Sequence, residues 1–130
     1  MVNKTEQSNR INNSVIIGRC SCDDVVKYTF YWCEDVIKEA DNSNFKVLDL
    51  QKENFIEDKF SNLIDKYNPQ FVFLNGHGDE FSARGFNKTH IITANKNDYL
   101  LKGRIAHILS CHTAVFLAQS SMDKGFLLCQ

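Results

Sequence analysis

The stretch Phe71-Val72-Phe73-Leu74-Asn75-Gly76-His77-Gly78 decides the fold of this chain. Its first four residues are apolar with no polar alternation, which is typical of a strand that is covered on both faces. The run then stops abruptly at a Gly-His-Gly turn. This pattern predicts a buried strand of a parallel sheet that ends in a tight loop, so the rest of the chain has to supply further strands and covering helices.

On the N-terminal side of this strand, strand patterns alternate with helix patterns. Residues 15–17 form a short β-branched run, and residues 45–50 form a second strand pattern. Apolar residues recur at steps of three and four within 26–40 and again within 56–67. These spacings predict two amphipathic helices, so the order up to the central strand is β-α-β-α-β.

On the C-terminal side the signals are weaker, but the alternation continues. We expect a short edge hairpin at 89–94, a helical turn at 98–101, a fourth strand at 104–109, a short helix at 114–122 and a fifth strand at 126–129. Parallel neighbours need crossover connections, which here are helices. The sequence therefore predicts an α/β fold in three layers, with a mostly parallel sheet of about five strands between helices.

Length and composition predict one domain at residues 14–130, preceded by a polar, flexible lead-in at 1–13. The chain has 130 residues, 43% of them hydrophobic, and a formal net charge of −1. Its apolar runs are far shorter than the ~20 residues that a membrane-spanning helix needs. No basic cluster is present to neutralise a row of phosphates. We expect no membrane and no nucleic acid among its partners.

The five cysteines are odd in number, unevenly spaced and not preceded by a secretory segment. This pattern favours a reducing, cytoplasmic compartment and no disulfide framework. Cys20, Cys22 and Cys33 lack the second matching pair of a zinc site, so we predict no metal and a structural role, with Cys20 or Cys22 lining any cleft at the end of the first strand. No glycine-rich phosphate loop is present, so we expect no cofactor.

Two reactive side chains follow consecutive predicted strands. His77 lies in the loop after the third strand, and Cys111 lies in the loop after the fourth. If these two strands are neighbours in the sheet, they lie ~4.8 Å apart, and side chains at their carboxyl ends meet in one cleft. The imidazole of His77 can accept the thiol proton, and a helix that begins directly after Cys111 favours the thiolate. The N–H groups of Gly78 and Cys111 complete a predicted oxyanion hole.

Three neighbouring residues are candidates for contact with a substrate. Asp79 and Glu80 follow the Gly-His-Gly turn and either attract a basic substrate side chain, orient His77 or simply lie in solvent. Ser110 precedes the candidate nucleophile. His112 is next to Cys111, but adjacent residues at a strand end point apart, which makes His77 the better candidate for the base. His107 lies inside the fourth strand and is predicted to be packed.

The blocks FVFLNGHG (71–78) and IAHILSCHTA (105–114) resemble those of a known family. They are similar to the His-Gly and Cys blocks of the caspase-like cysteine peptidases, the group of caspases, gingipains, clostripain, legumain and separase. The nearest resemblance is to the CHAT-domain branch, whose second block often reads Leu-Ser-Cys-x-Thr-Ala. The resemblance implies a caspase-hemoglobinase-like fold over 14–130 and a hydrolase with a Cys-His dyad: Cys111 as nucleophile, His77 as base and Gly78 as oxyanion donor.

The resemblance implies an endopeptidase that acts on protein or peptide substrates without a cofactor. Members of the group continue past the position of Gly125 with further strands, whereas this chain ends at Gln130. We therefore expect either a sheet of about five strands or a truncated domain whose sheet a partner chain or domain completes. One alternative is a catalytically inactive or truncated module that acts in protein binding or regulation. A flavodoxin-like domain that binds a small molecule, with no role for Cys111, is another.

Overall fold

The computed structural model describes residues 13–113, 115–125 and 128–129 of the chain. The predicted lead-in at 1–13 lies outside the described residues except for Asn13, and so do residues 126 and 127 of the predicted fifth strand. The Asn13 carbonyl accepts a hydrogen bond from the Lys46 N–H at 2.7 Å.

The N-terminal half has the predicted order of strands and helices. Its elements are β1 (Ser14–Arg19), α1 (Asp24–Asn42), β2 (Lys46–Gln51), α2 (Glu57–Tyr67) and β3 (Phe71–Asn75). All six residues of β1 are buried, as expected for a strand covered on both faces. Asn68 ends α2 in the left-handed conformation, directly before Pro69, because the residue before a proline avoids helical geometry.

The C-terminal half differs from the prediction in two places. Its elements are β4 (Ser82–Arg84), β5 (His90–Thr93), β6 (Ile105–Leu109), α3 (Leu117–Asp123) and β7 (Leu128–Cys129). The predicted edge hairpin is instead one strand, β5, of a separate two-stranded antiparallel sheet with β4. The helix predicted from residue 114 begins only at Leu117, after turns in which His112 has a left-handed φ of 59°. The helical turn predicted at 98–101 is a 3-10 helix.

The main sheet has five strands in the order β2-β1-β3-β6-β7, and all of its pairs are parallel. The prediction of an α/β domain with a parallel sheet of about five strands is confirmed. The third and fourth predicted strands, β3 and β6, are neighbours, with Asn75 paired to Leu109. Their carboxyl ends therefore lie side by side at one edge of the sheet.

Helices cover both faces of the sheet, which makes three layers. On one face α1 packs on residues of β1, β2 and β3 through an apolar cluster comprising Val15, Ile17, Cys33, Val36, Ile37, Ala40, Phe45, Val47, Phe71 and Phe73. On the other face α2 and α3 contribute Phe60, Ile64 and Leu117 to the main core. None of the helices among the described residues is long and apolar enough to span a lipid bilayer.

Candidate active site

The strand order creates a crevice at the carboxyl ends of β1 and β3. The connection from β1 leads through α1 to β2 on one side, and β3 lies on the other side of β1. In open α/β sheets this reversal of strand order is the usual position of ligands, because the two connections diverge and leave a gap. Residues 20–23 follow β1 at this point, residues 76–78 follow β3, and residues 110–112 follow β6.

His77 is held at this crevice by a carboxylate. Its Nε2 lies 2.6 Å from Oδ2 of Asp23, and 19% of the His77 side chain is exposed. If Nε2 donates this hydrogen bond, the neutral imidazole keeps Nδ1 as an acceptor. In the neutral ring, this contact favours the tautomer protonated at Nε2, which leaves Nδ1 as the proton acceptor.

Asp23 is itself fixed in position, because it caps α1. Its Oδ1 accepts hydrogen bonds from the N–H groups of Val25 and Val26 at 3.0 and 3.3 Å. The hydrogen bond with His77 lowers the pKa of Asp23, and the two helix amides lower it further. The carboxylate is therefore ionised and oriented by α1. The pairing with His77 spans 54 positions, so no local sequence signal predicts it.

The loop after β3 is packed directly against the loop after β6. The Gly76 N–H donates to the Leu109 carbonyl at 3.2 Å. A Cβ atom added at Gly78 would lie 2.7 Å from Cβ of Ser110 and 2.9 Å from Cγ2 of Thr113. Such distances are shorter than van der Waals contact, so only glycine allows the loops to approach this closely.

Two further contacts join the same loops. The Glu80 carbonyl accepts a hydrogen bond from the Leu117 N–H at 2.9 Å, which anchors the start of α3 to the loop that carries His77. The rings of Phe81 and Phe116 lie 5.1 Å apart between centroids. The residues around Cys111 are thereby positioned by the residues after His77.

Cys111 is exposed in the turn between β6 and α3. The prediction that a helix begins directly after Cys111 was wrong, because α3 begins only at Leu117. No helix N-terminus therefore stabilises a thiolate at Cys111. No hydrogen bond links Cys111 to His77 among the described residues. Both residues lie two positions beyond the paired residues Asn75 and Leu109, so the structure brings them to adjacent strand ends.

The predicted oxyanion donors lie in the same two loops. Neither the Gly78 N–H nor the Cys111 N–H donates to a backbone carbonyl among the residues that the structure describes. Gly78 forms an isolated antiparallel bridge with Ala83, in which its neighbours rather than Gly78 itself make the hydrogen bonds. Both N–H groups therefore stay candidates for the predicted oxyanion site.

Asp79 stabilises its own loop. Its carboxylate accepts hydrogen bonds from the N–H groups of Phe81 and Ser82 at 2.9 Å and pairs with Arg84 at 2.6 Å. The Phe81 amide above all lowers the pKa of Asp79 to about 2. Of the alternatives considered for Asp79 and Glu80, the orientation of His77 is not observed for either, since Asp23 makes that contact. Their contact with a substrate stays a prediction.

The depressed pKa of Asp79 predicts an acid-sensitive loop. Its pKa falls from 3.8 to about 2 on folding, so its stabilising effect is complete above pH 4 and is lost as the pH falls through about 2. We expect Asp79→Asn to flatten the decrease in the free energy of unfolding across this window, measured by urea denaturation at several pH values. Glu80→Gln, at an exposed neighbouring position, serves as the control. An unchanged slope in Asp79→Asn would contradict the assignment.

Ser110 remains a candidate for substrate contact. Its Oγ is buried and has no hydrogen-bond partner within the described residues. A buried hydroxyl without a partner costs free energy, so such groups are rare in folded proteins. The hydroxyl is next to Cys111 in sequence, on the loop that contacts Gly78. The role predicted for it is untested.

Two further residues named in the sequence analysis, Cys33 and His107, are packed against neighbouring side chains. Cys33 is buried, and its thiol lies 2.8 Å from Nδ2 of Asn75; burial raises the pKa of this thiol. His107 stacks on Phe73 at 4.3 Å, and burial lowers its pKa. Among the described residues, no group of three His, Cys, Asp or Glu side chains is arranged to bind a metal.

Cys20 and Cys22 form a disulfide at the carboxyl end of β1. This pairing contradicts the expectation of a chain without disulfides, because the turn after β1 brings residues 20 and 22 together. Both residues lie at the predicted position, at the end of β1 and directly before Asp23.

Comparison with known proteins identifies no significant relative of this chain. A scan of protein-family models finds no match, and searches of curated proteins and of solved structures find no significant match either. The class that the fold itself defines is a three-layer α/β domain with a parallel sheet.

Proposed function

We propose that this chain is a cysteine endopeptidase of the caspase-like, CHAT type, with Cys111 as nucleophile and His77 as general base. The observation that carries the proposal is the pairing of β3 with β6, which puts both residues two positions beyond the pair Asn75 and Leu109. The contact of His77 with Asp23 supports it independently, since a base oriented by a carboxylate is typical of nucleophilic catalysis.

In the proposed mechanism, Asp23 accepts the Nε2–H hydrogen bond and leaves Nδ1 of His77 to take the Cys111 proton. The thiolate attacks the peptide carbonyl, and the N–H groups of Gly78 and Cys111 stabilise the resulting oxyanion. His77 then returns the proton to the leaving amine as the tetrahedral intermediate collapses to a thioester. Water, deprotonated by His77, hydrolyses the thioester and regenerates the thiol.

A peptidyl acyloxymethyl ketone tests this proposal, because it alkylates a nucleophilic thiol that sits beside a base and an oxyanion site. We expect members of a series with varied P1 side chains to label the protein, with the adduct mapped to Cys111. Labelling that persists in Cys111→Ala, or a Cys111 thiol that reacts with iodoacetamide no faster than a free thiol and hydrolyses no peptide of a library, would overturn the proposal.

Asp23 acts as a positioning residue in this mechanism. Asp23→Asn keeps an oxygen that can cap α1 but removes the ionised partner of His77. We expect kcat to fall roughly tenfold with KM unchanged, because only part of the 10²–10⁴-fold effect of a general base depends on its orientation. Steady-state kinetics check this expectation.

Asp24→Asn is the matched control for this change. Asp24 is the adjacent carboxylate, exposed in the first turn of α1, and it makes no contact with His77. We expect wild-type kcat and KM for this variant. An equal loss in both variants would mean that Asp23 acts only through the helix start.

A second candidate is an inactive module of the same fold that acts in protein binding or regulation. Two features of Cys111 favour it. No hydrogen bond joins the thiol to His77 in the described part of the chain, and α3 begins too late to place its N-terminus behind the sulfur. A chain of this kind would fold cooperatively and leave Cys111 with ordinary thiol reactivity.

A further inference from the structure

The outer face of α1 carries three exposed aromatic side chains. Tyr28, Tyr31 and Trp32 are 70%, 58% and 64% exposed, although side chains of this size stabilise a protein most when they are covered. Successive residues of an α-helix are rotated by about 100°, so all three lie on the side of α1 opposite to the buried residues Val26 and Cys33. These three residues, which we call the aromatic stripe, therefore face away from the sheet.

The aromatic stripe has the composition and the shape of a protein interface. Tyrosine and tryptophan are enriched among the residues that contribute most to binding between proteins. The Tyr31 ring packs edge-on against the buried Phe30 ring, with 5.4 Å between centroids, which holds it in its outward position. Beside it lies a groove of about 530 Å³ whose walls include Lys27, Tyr28 and Tyr31. The groove leaves room for a side chain of a partner.

Two opposite charges flank the aromatic stripe. Lys27 lies four residues before Tyr31 and Asp35 lies four residues after it, and both are exposed. Neither forms a salt bridge with another residue that the structure describes. When a second α1 packs antiparallel on the first, with Tyr31 of both copies on the two-fold axis, Lys27 of each copy faces Asp35 of the other. Parallel packing would instead place each charge against its own kind.

We propose that the aromatic stripe is the interface of a homodimer, in which two copies of this chain pack their α1 helices antiparallel about a two-fold axis at Tyr31. The same residues lie on both sides of such an interface, so the pattern has to be complementary to itself. The aromatic rings supply the buried area, and the two contacts between Lys27 and Asp35 select the antiparallel direction. The proposal does not depend on the proposed function.

The area of the aromatic stripe determines the strength of the dimer. An aromatic side chain buries about 150–250 Å² when it is fully covered, so the exposed parts of Tyr28, Tyr31 and Trp32 in two copies supply roughly 600–1,000 Å². This area is below the ~1,200 Å² at which stable interfaces begin and is typical of transient ones. We therefore expect a weak dimer with a Kd of about 10–100 µM.

Sedimentation velocity of the full chain tests the dimer at concentrations from about 1 to about 500 µM, which bracket this Kd. A reducing agent prevents cross-linking through the exposed Cys111. We expect the sedimentation coefficient to rise from that of a monomer to that of a dimer. Trp32 is the only tryptophan of the chain, so its fluorescence reports this surface alone. Its emission should shift to shorter wavelengths, and its quenching by acrylamide should fall, over the same concentration range.

Two charge variants test the antiparallel direction. Lys27→Glu places a glutamate opposite Asp35 of the other copy, and Asp35→Lys places a lysine opposite Lys27. We expect each variant alone to dimerise at least about tenfold more weakly than the wild type, because both contacts then join like charges. A mixture of the two variants has opposite charges at both contacts of a heterodimer and should associate as the wild type does. Misfolding of either variant could not produce this rescue.

Tyr31→Ser tests the position of the axis, because it removes the central ring from both copies at once. We expect no dimer from this variant over the same concentrations. Tyr99→Ser is the matched control. Tyr99 is 60% exposed, close to the value for Tyr31, but it lies in the 3-10 helix at 98–101. This variant should dimerise as the wild type does.

Four results would overturn the proposal. One is a chain that stays monomeric at about 500 µM with Trp32 open to acrylamide, which would leave the stripe to a different partner. Another is a monomer in which Trp32 is protected, because another segment of the same chain would then cover the stripe. A dimer that persists in Tyr31→Ser would lie on another surface. Finally, charge variants that each dimerise like the wild type would exclude the contacts between Lys27 and Asp35.

Discussion

Replacement of Cys111 with alanine is expected to lower kcat/KM for peptide hydrolysis by about 10⁴-fold or more, because the variant has no atom that can form the thioester. His77→Ala is expected to cost about 10²–10⁴-fold, since the thiol then loses its proton acceptor. Initial rates on the best peptide found with the probe series check both values, with thermal unfolding used to show that each variant is folded.

His112→Ala is the matched control for the His77 variant. His112 is adjacent to Cys111 and exposed, so a base chosen by sequence proximity would be this residue. In the structure it is His77 that contacts Asp23. We expect His112→Ala to retain most of the activity. The opposite ranking, with His112→Ala inactive and His77→Ala active, would show that the assignment of the base is wrong.

Gly78→Ala is expected to reduce kcat about 10²-fold, because an error of about 1 Å in the relative position of reacting groups has an effect of that size. The new methyl group would lie 2.7 Å from Cβ of Ser110 and 2.9 Å from Cγ2 of Thr113, so the loops of His77 and Cys111 must separate. The overpacking is also expected to lower the free energy of unfolding by ~1–3 kcal/mol. Kinetics and urea denaturation measure the two effects.

Two companion variants distinguish displacement of the loops from a general loss of stability. Gly103→Ala adds a methyl group where no atom lies within 4 Å, but the left-handed φ of 73° strains the backbone, so stability falls without a change at the site. Thr113→Ser removes the contacting methyl group and, combined with Gly78→Ala, should restore part of kcat. Similar activity losses in Gly103→Ala and Gly78→Ala, or no rescue, would contradict the proposed packing.

Much of the architecture was predictable because it depends on local patterns. The apolar run at 71–74 and the three-and-four spacing along α1 and α2 are properties of consecutive residues, and burial of one face or both follows from them. The placement of His77 and Cys111 at one sheet edge also followed, since parallel strands direct their carboxyl ends to the same side.

Other features could not be predicted from local patterns. The start of α3 moved to Leu117 because the Leu117 N–H bonds to the Glu80 carbonyl and His112 adopts a left-handed φ, and neither has a signal in residues 114–122. The disulfide at residues 20 and 22 depends on the exact path of the chain after β1. Asp79 and Glu80 are close to His77 in sequence, whereas Asp23, which contacts it, is close only in space.

By itself the sequence of this protein determined a parallel α/β sheet and the two strand ends that carry His77 and Cys111, since alternating apolar periods specify which faces are buried. Only the tertiary structure decided which carboxylate meets His77, how closely Gly78 lets the two loops approach, and that Cys111 has no helix directly behind it. These features depend on contacts between residues that are far apart in the chain. Such contacts are set by the packing of whole helices and strands, and no short stretch of the sequence specifies that packing.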